Sequence, residues 1–117
     1  MANVLIVIND GPYGTERAYN GLRLAASLAH REGGSVRVFL IGDGAACARR
    51  GQKVPQGYYN VEHLLQATTR RKGQVGVCAT CMDARGLAET DLVDGCHKGS
   101  LEELTSWTLE ADKVLSF

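Results

Sequence analysis

The chain lacks an excess of charge of either sign. Lysine and arginine number 13 and aspartate and glutamate 13, a formal net charge of +0, so no field of one sign is present to draw in nucleic acid. The short basic clusters Arg49-Arg50 and Arg70-Arg71-Lys72 read as solvated helix ends, where cations suit the carboxyl-terminal dipole. A long hydrophobic run is lacking too. Met1-Ala2-Asn3-Val4-Leu5-Ile6-Val7-Ile8 carries no basic leader and only five consecutive apolar residues, too few for a signal peptide or a membrane span. The expected address is therefore cytoplasmic, with no membrane partner. Glycine motifs for nucleotides are missing as well: Gly11-Pro12-Tyr13-Gly14 has neither Gly-x-x-x-x-Gly-Lys nor spaced dinucleotide glycines, and reads as a plain turn. There is no internal repeat or low-complexity segment.

What is there fits one domain, residues 1–117, since a chain of 117 residues buries enough surface to fold without disulfide staples or a structural metal. The 4 cysteines, in a reducing compartment, read as free thiols, a metal site or a redox pair rather than a disulfide framework.

Apolar patterning alternates between strand and helix. Residues 3–8 form a run buried on both faces and closed by Asn9-Asp10-Gly11-Pro12. Ala18, Leu22, Ala25 and Ala29 recur at helical spacing until Gly33-Gly34. Val36 to Ile41 is a second strand, ended by the turn Gly42-Asp43-Gly44 and followed by a short alanine-rich helical piece through Arg50. Residues 51–59 have no period. Asn60 caps a helix with Val61, Leu64, Leu65 and Thr68 on one face, stopped before Gly73. Gln74 to Val77 is a third strand, followed by Cys78 and Cys81 and then a single helical turn, Met82 to Arg85. A fourth strand is expected around Leu92-Val93 and Cys96. Ser100-Leu101-Glu102-Glu103 is a capping box that opens the last helix, and residues 113–117 close the chain as a strand. This order predicts an α/β fold, a three-layer α/β/α sandwich around a mostly parallel five-stranded sheet of flavodoxin-like or Rossmann-like type. In such sheets the binding crevice lies beyond the carboxyl ends of the strands, the rim that holds Asp10, Asp43 and Cys78.

Cys78-Ala79-Thr80-Cys81 carries the chemistry. A thiol becomes nucleophilic when ionised, and its pKa falls at a helix amino terminus, beside a cation or beside a second thiol. Arg85 lies one to two turns on, and Arg49, Arg50 or Lys53 are placed to reach across the rim, while Asp83 opposes them. Two thiols so spaced allow one to accept a sulfane sulfur and the other to attack the resulting persulfide. Zinc is the competing use of Cys78, Cys81, Cys96 and His97, but adjacent Cys96 and His97 rarely converge on one ion, and no metal is expected. A thioredoxin-type reductase wants its pair at the start of a long helix early in the domain. Asp10 and Asp43 also serve as ordinary turn formers, and His30 and His63 read as helix-surface residues.

Taken together, several segments resemble the DsrE/DsrF-like proteins of sulfur relay, most closely the small YchN-like subgroup. They are Gly11-Pro12-Tyr13-Gly14, Asn20 to Ala25, Arg50-Gly51-Gln52-Lys53, Gly57-Tyr58-Tyr59-Asn60, Val77 to Gly86 and Trp107 to Leu115. The resemblance implies a DsrE-like α/β sheet domain, a homotrimer or homohexamer, and sulfur handling at the family cysteine, which falls on Cys78, with Cys81 at the subgroup's second thiol. It implies sulfur donor and acceptor proteins as partners, and gives Cys47 and Cys96 no part.

Two readings stand. In one, Cys78 relays persulfide sulfur as a carrier or sulfurtransferase, with Cys81 beside it, Arg85, Gln52 and Lys53 as anion stabilisers, Asp10 and Asp43 on the binding rim, and no cofactor. In the other, the chain is a non-enzymatic homo-oligomer that binds a small molecule or senses redox state.

Overall fold

The computed structural model describes residues 2–117. Five strands form one sheet in the order β4-β3-β2-β1-β5, with β1 at Asn3–Ile8, β2 at Ser35–Leu40, β3 at Gln74–Cys78, β4 at Cys96–Gly99 and β5 at Lys113–Ser116. Every neighbouring pair is parallel. The helices are α1 (Arg17–Ala29), α2 (Val61–Arg70), α3 (Ala79–Ala84) and α4 (Leu101–Glu110). This is the α/β/α arrangement that the alternation predicts.

The alternating side chains of the strands feed two separate cores. Val4, Ile6 and Ile8 of β1, Val38 and Leu40 of β2 and Val75 and Val77 of β3 pack beneath α1 and α2, meeting Ala18, Leu22, Val61 and Leu65. On the opposite face the fully buried set is small: Leu5 and Phe39 against Trp107 of α4, with Leu104 and Ala111 partly covered. Phe39 meets the Trp107 ring edge-on, with centroids 6.1 Å apart, a favourable aromatic geometry. The Arg37 guanidinium lies over the Trp107 ring, 5.4 Å from its centroid, and pairs with Glu110 at 2.7 Å.

Local signals set the helix starts. Asn60 Oδ1 accepts the Glu62 and His63 amides, and Ser100 Oγ accepts the Glu103 amide at 3.1 Å. The capping box at Ser100 is only half formed, because the Glu103 carboxylate turns to His97 Nε2, 2.8 Å from each oxygen. It lies over two strand glycines: a Cβ on Gly76 or Gly99 would come within 2.8 or 2.7 Å of Glu103 Oε1. The Phe39 ring is the stiffer neighbour, 2.9 Å from a Cβ on Gly99 and 3.2 Å from one on Gly76, so the glycines let ring and carboxylate approach the strands closely.

The fourth strand differs from expectation. Leu92 and Val93 are buried but do not join the sheet. Leu92 bridges Arg49 in antiparallel fashion, and the Val93 amide donates to Ala48 O at 2.8 Å. That antiparallel contact with the end of the 3₁₀ segment Gly42–Ala48 satisfies them, so pairing with β3 is left to Cys96–Gly99, in the register Cys78 opposite Gly99. The helical turn after the third strand also differs, beginning at Ala79 rather than at Met82.

Candidate functional site

Cys78 holds two positions at once. It is the last residue of β3 and the N-cap of α3, so its side chain stands where the sheet ends and the helix amides begin. Its Sγ accepts the Cys81 amide at 3.4 Å and lies 3.4 Å from Thr80 Oγ1. Burial works against ionisation of this thiol, but the Cys81 and Thr80 side chains and amides outweigh it and bring the pKa below the ordinary value. Cys81 shifts the other way. Burial and its hydrogen bond toward Cys78 raise its pKa, against the Gly42 amide and the Arg85 charge. The pair thus holds a nucleophile that ionises first and a neighbour that keeps its proton longer.

Both thiols line an apolar cavity of about 450 Å³ with Phe39, Ile41, Leu101 and Leu104. The cavity exists because α4 begins only at Leu101, beside the end of β4, and leaves the upper part of β2 uncovered. The register that sets Gly99 opposite Cys78 brings Ser100 and Leu101 to its mouth.

A second, polar cavity of about 580 Å³ lies on the same rim, lined by Asp10, Thr15, Arg17, Asp43 and Arg85. Arg85 pairs with Asp43 at 2.7 Å and donates to Cys81 O at 3.1 Å. Asp10 accepts from the Thr15 hydroxyl at 2.7 Å and lies 3.7 Å from Arg17. Asp10, Asp43 and Arg85 are therefore brought together, with Cys81 between them and the apolar cavity. Gln52 and Lys53 line neither cavity. The Gln52 amide nitrogen is occupied by Ala46 O at 2.8 Å and Arg49 O at 3.0 Å, where it ties down the segment after the 3₁₀ turn, and Lys53 is exposed. Beyond the end of β1, Asn9 ties the chain terminus to the sheet: its amide donates to Phe117 O at 2.8 Å and its side chain donates to Ser116 Oγ at 3.0 Å.

Cys47 and Cys96 behave differently. Burial, then the Asp10 charge, pushes Cys47 up to about 12, and burial, then Asp94 and Glu62, does the same for Cys96. Cys47 lies wholly in the core and directs its thiol at Asp10 O, 3.6 Å away. No three His, Cys, Asp or Glu side chains are grouped for a metal ion among the described residues, since His97 turns to Glu103 and away from the strand-end thiols.

Sequence reasoning missed the groups that tune the thiols from a distance. Gly42, at φ +59°, turns its amide onto Cys81 Sγ at 3.1 Å, a conformation that favours glycine. Its place after an apolar strand was the only signal. Thr80 stood inside the motif, but its contact with Cys78 depends on the helix starting at Ala79. Phe39, Ile41 and Leu104 as cavity walls follow only from the sparse covering by α4.

Fold and site define a parallel α/β protein with a tuned thiol pair at the carboxyl end of its third strand. The sequence profile of the DsrE/DsrF-like family matches residues 2–117, and the chain belongs to that family, which the motifs had tied to sulfur relay in general. It is similar to protein YchN of Escherichia coli, 43% identical over 118 residues with 100% of both chains covered. The YchN crystal structure superposes with a TM-score of 0.93 over 100% of both chains. A TusC homolog of Vibrio parahaemolyticus is 31% identical over 121 residues, again with 100% of each chain covered.

Proposed function

We propose that the chain is a sulfur carrier working through Cys78. The ionised Cys78 sulfur attacks the outer sulfur of a donor persulfide. A new sulfur–sulfur bond forms as the old one breaks, the donor departs as a thiolate, and Cys78 is left as a persulfide. An acceptor thiolate later takes the outer sulfur in the same way. One observation carries the reading: the thiol whose pKa is lowered is also the one that caps α3 and lines an apolar cavity. There apolar walls cover one side of a half-buried sulfur, so a thiolate or persulfide meets water from the other side alone. Arg85, Asp43 and Asp10 are taken as the polar wall that receives the donor or acceptor.

Residues 1–117 are read as one domain, working in the cytoplasm as a homotrimer or homohexamer with protein donors and acceptors. Supporting this, Leu101 and Leu109 of α4 and Val114 and Leu115 of β5 are exposed, large apolar side chains that a second copy would cover. No helix among the described residues is long and apolar enough to cross a membrane.

Incubation with inorganic polysulfide, removal of excess and intact-protein mass spectrometry test the carrier. Cys81→Ser, which keeps Cys78 but no neighbouring thiol to discharge it, is expected to gain one sulfur, and Cys78→Ser to gain none while keeping its fold. Equal loading of Cys78→Ser would sink the assignment. The polar cavity favours one other reading, a small-molecule binding protein with passive or redox-sensing thiols, and absence of loading on any cysteine would turn attention there.

A further inference from the structure

A carrier needs one thiol, yet this site is built around two. Cys81 sits one turn beyond Cys78 on α3 and donates its amide to Cys78 Sγ. Cys81 also lines the same cavity. Its sulfur accepts the Gly42 amide at 3.1 Å, and Arg85 folds back onto the Cys81 carbonyl. Burial and the Cys78 hydrogen bond keep Cys81 protonated longer, while the Gly42 amide is placed to stabilise charge that develops on its sulfur as the proton leaves, and transfer at Cys78 alone makes no use of that amide.

We propose that Cys81 is a resolving thiol, making the protein a sulfane-sulfur reductase that releases sulfide; this rests on Cys78 loading as described above. The Cys81 proton passes to the outer sulfur of the Cys78 persulfide, and the Cys81 thiolate attacks Cys78 Sγ. The bond between Cys78 Sγ and the outer sulfur breaks, and that sulfur leaves as hydrosulfide with the electron pair. A Cys78–Cys81 disulfide forms. The sulfane sulfur is reduced by two electrons and the two thiols are oxidised. A dithiol reductant then opens the disulfide, itself becoming a cyclic disulfide and returning both thiols. The sequence motif supplies the spacing, and the shared cavity with the Gly42 amide supplies the second sulfur's readiness.

The test loads wild type, Cys81→Ser and Cys78→Ser with inorganic polysulfide, removes the excess, and follows released sulfide together with intact mass after alkylation. Wild type is expected to release about one sulfide per loaded sulfur and to end as a disulfide that peptide mapping places at Cys78–Cys81, with both thiols restored once dithiothreitol is added. Cys81→Ser is expected to hold its persulfide and release sulfide at least about tenfold more slowly. The wild-type disulfide map stands without any variant, so misfolding of Cys81→Ser leaves the test intact. Loading with a persistent wild-type persulfide and no internal disulfide would overturn the resolving role alone. Failure of wild type to form either a persulfide or the disulfide, together with failure of Cys81→Ser to load, would overturn the carrier reading and this one with it.

Discussion

The two faces of the sheet share their strands but are covered unequally. Beneath α1 and α2, alternate residues of β1, β2 and β3 are sealed by Leu22, Val61 and Leu65 into a continuous core. On the other face α4 alone covers Leu5 and Phe39, chiefly through Trp107. The thick face has the apolar area that stabilises the fold, at roughly 25 cal/mol for each Å² buried. The thin face leaves apolar wall uncovered at the carboxyl end of β2, and there the thiols open. Stability and reactivity are thus divided between the faces, and the division can be tested.

The largest expected contrast lies between thiols. Cys47 belongs to the thick core and is held near 12, whereas Cys78 borders the thin face with its pKa lowered. Thiolate reacts and thiol does not. Because a group titrating near 12 is only about one part in ten thousand ionised at pH 8, iodoacetamide is expected to label Cys78 first, by three or more orders of magnitude over Cys47. As pH falls, labelling of Cys78 should persist below the range where an ordinary cysteine stops reacting, because its folded pKa is depressed. Time-resolved peptide mapping across pH reads this directly, and comparable labelling of Cys47 in the folded protein would break the comparison.

Next in size is a cavity in the thick core. Leu65 is fully buried between α2 and the sheet, so Leu65→Ala is expected to cost about 2–5 kcal/mol, from lost burial and an unfilled hole. Urea unfolding checks it, with the midpoint lowered and the slope unchanged. A cost below about 1 kcal/mol would mean that the core can collapse around the gap and that the thick face carries less than its burial indicates.

The thick face was also the more legible one in the sequence. Its residues repeat with the period of the element that carries them, so Val4 to Ile8 and the Ala18, Leu22, Ala25 series announce strand and helix directly. Asn60 and Ser100 marked helix starts through short-range chemistry. The thin face was harder to read. Cys96-His97-Lys98-Gly99 has no apolar alternation, because β4 pairs on one side only and its His97 is directed to Glu103. Leu92-Val93 imitates a strand although its partner is Arg49. Within the site, strand-end placement of Cys78 was readable from order alone. Cys81 meets Gly42 from 39 residues away, and Gln52 turns inward to carbonyls; both depend on tertiary placement that no local pattern encodes.

The smallest expected effect sharpens the comparison most. Leu101 opens α4, borders the thiol cavity and is 76% exposed. Truncating it removes little buried surface, so Leu101→Ala in an isolated chain is expected to change stability by no more than about 0.5 kcal/mol. A second copy lying on α4 would change that outcome. The leucine would then be buried between subunits, its loss would weaken assembly, and the apparent stability would depend on protein concentration. Unfolding of wild type and Leu101→Ala at several concentrations, alongside analytical ultracentrifugation, separates the cases. A small, concentration-independent change leaves the thin face open to solvent at the thiols. A cost above about 1 kcal/mol at high protein concentration that shrinks on dilution means that the thin face is completed by another subunit, and that the cavity around Cys78 is walled from both sides.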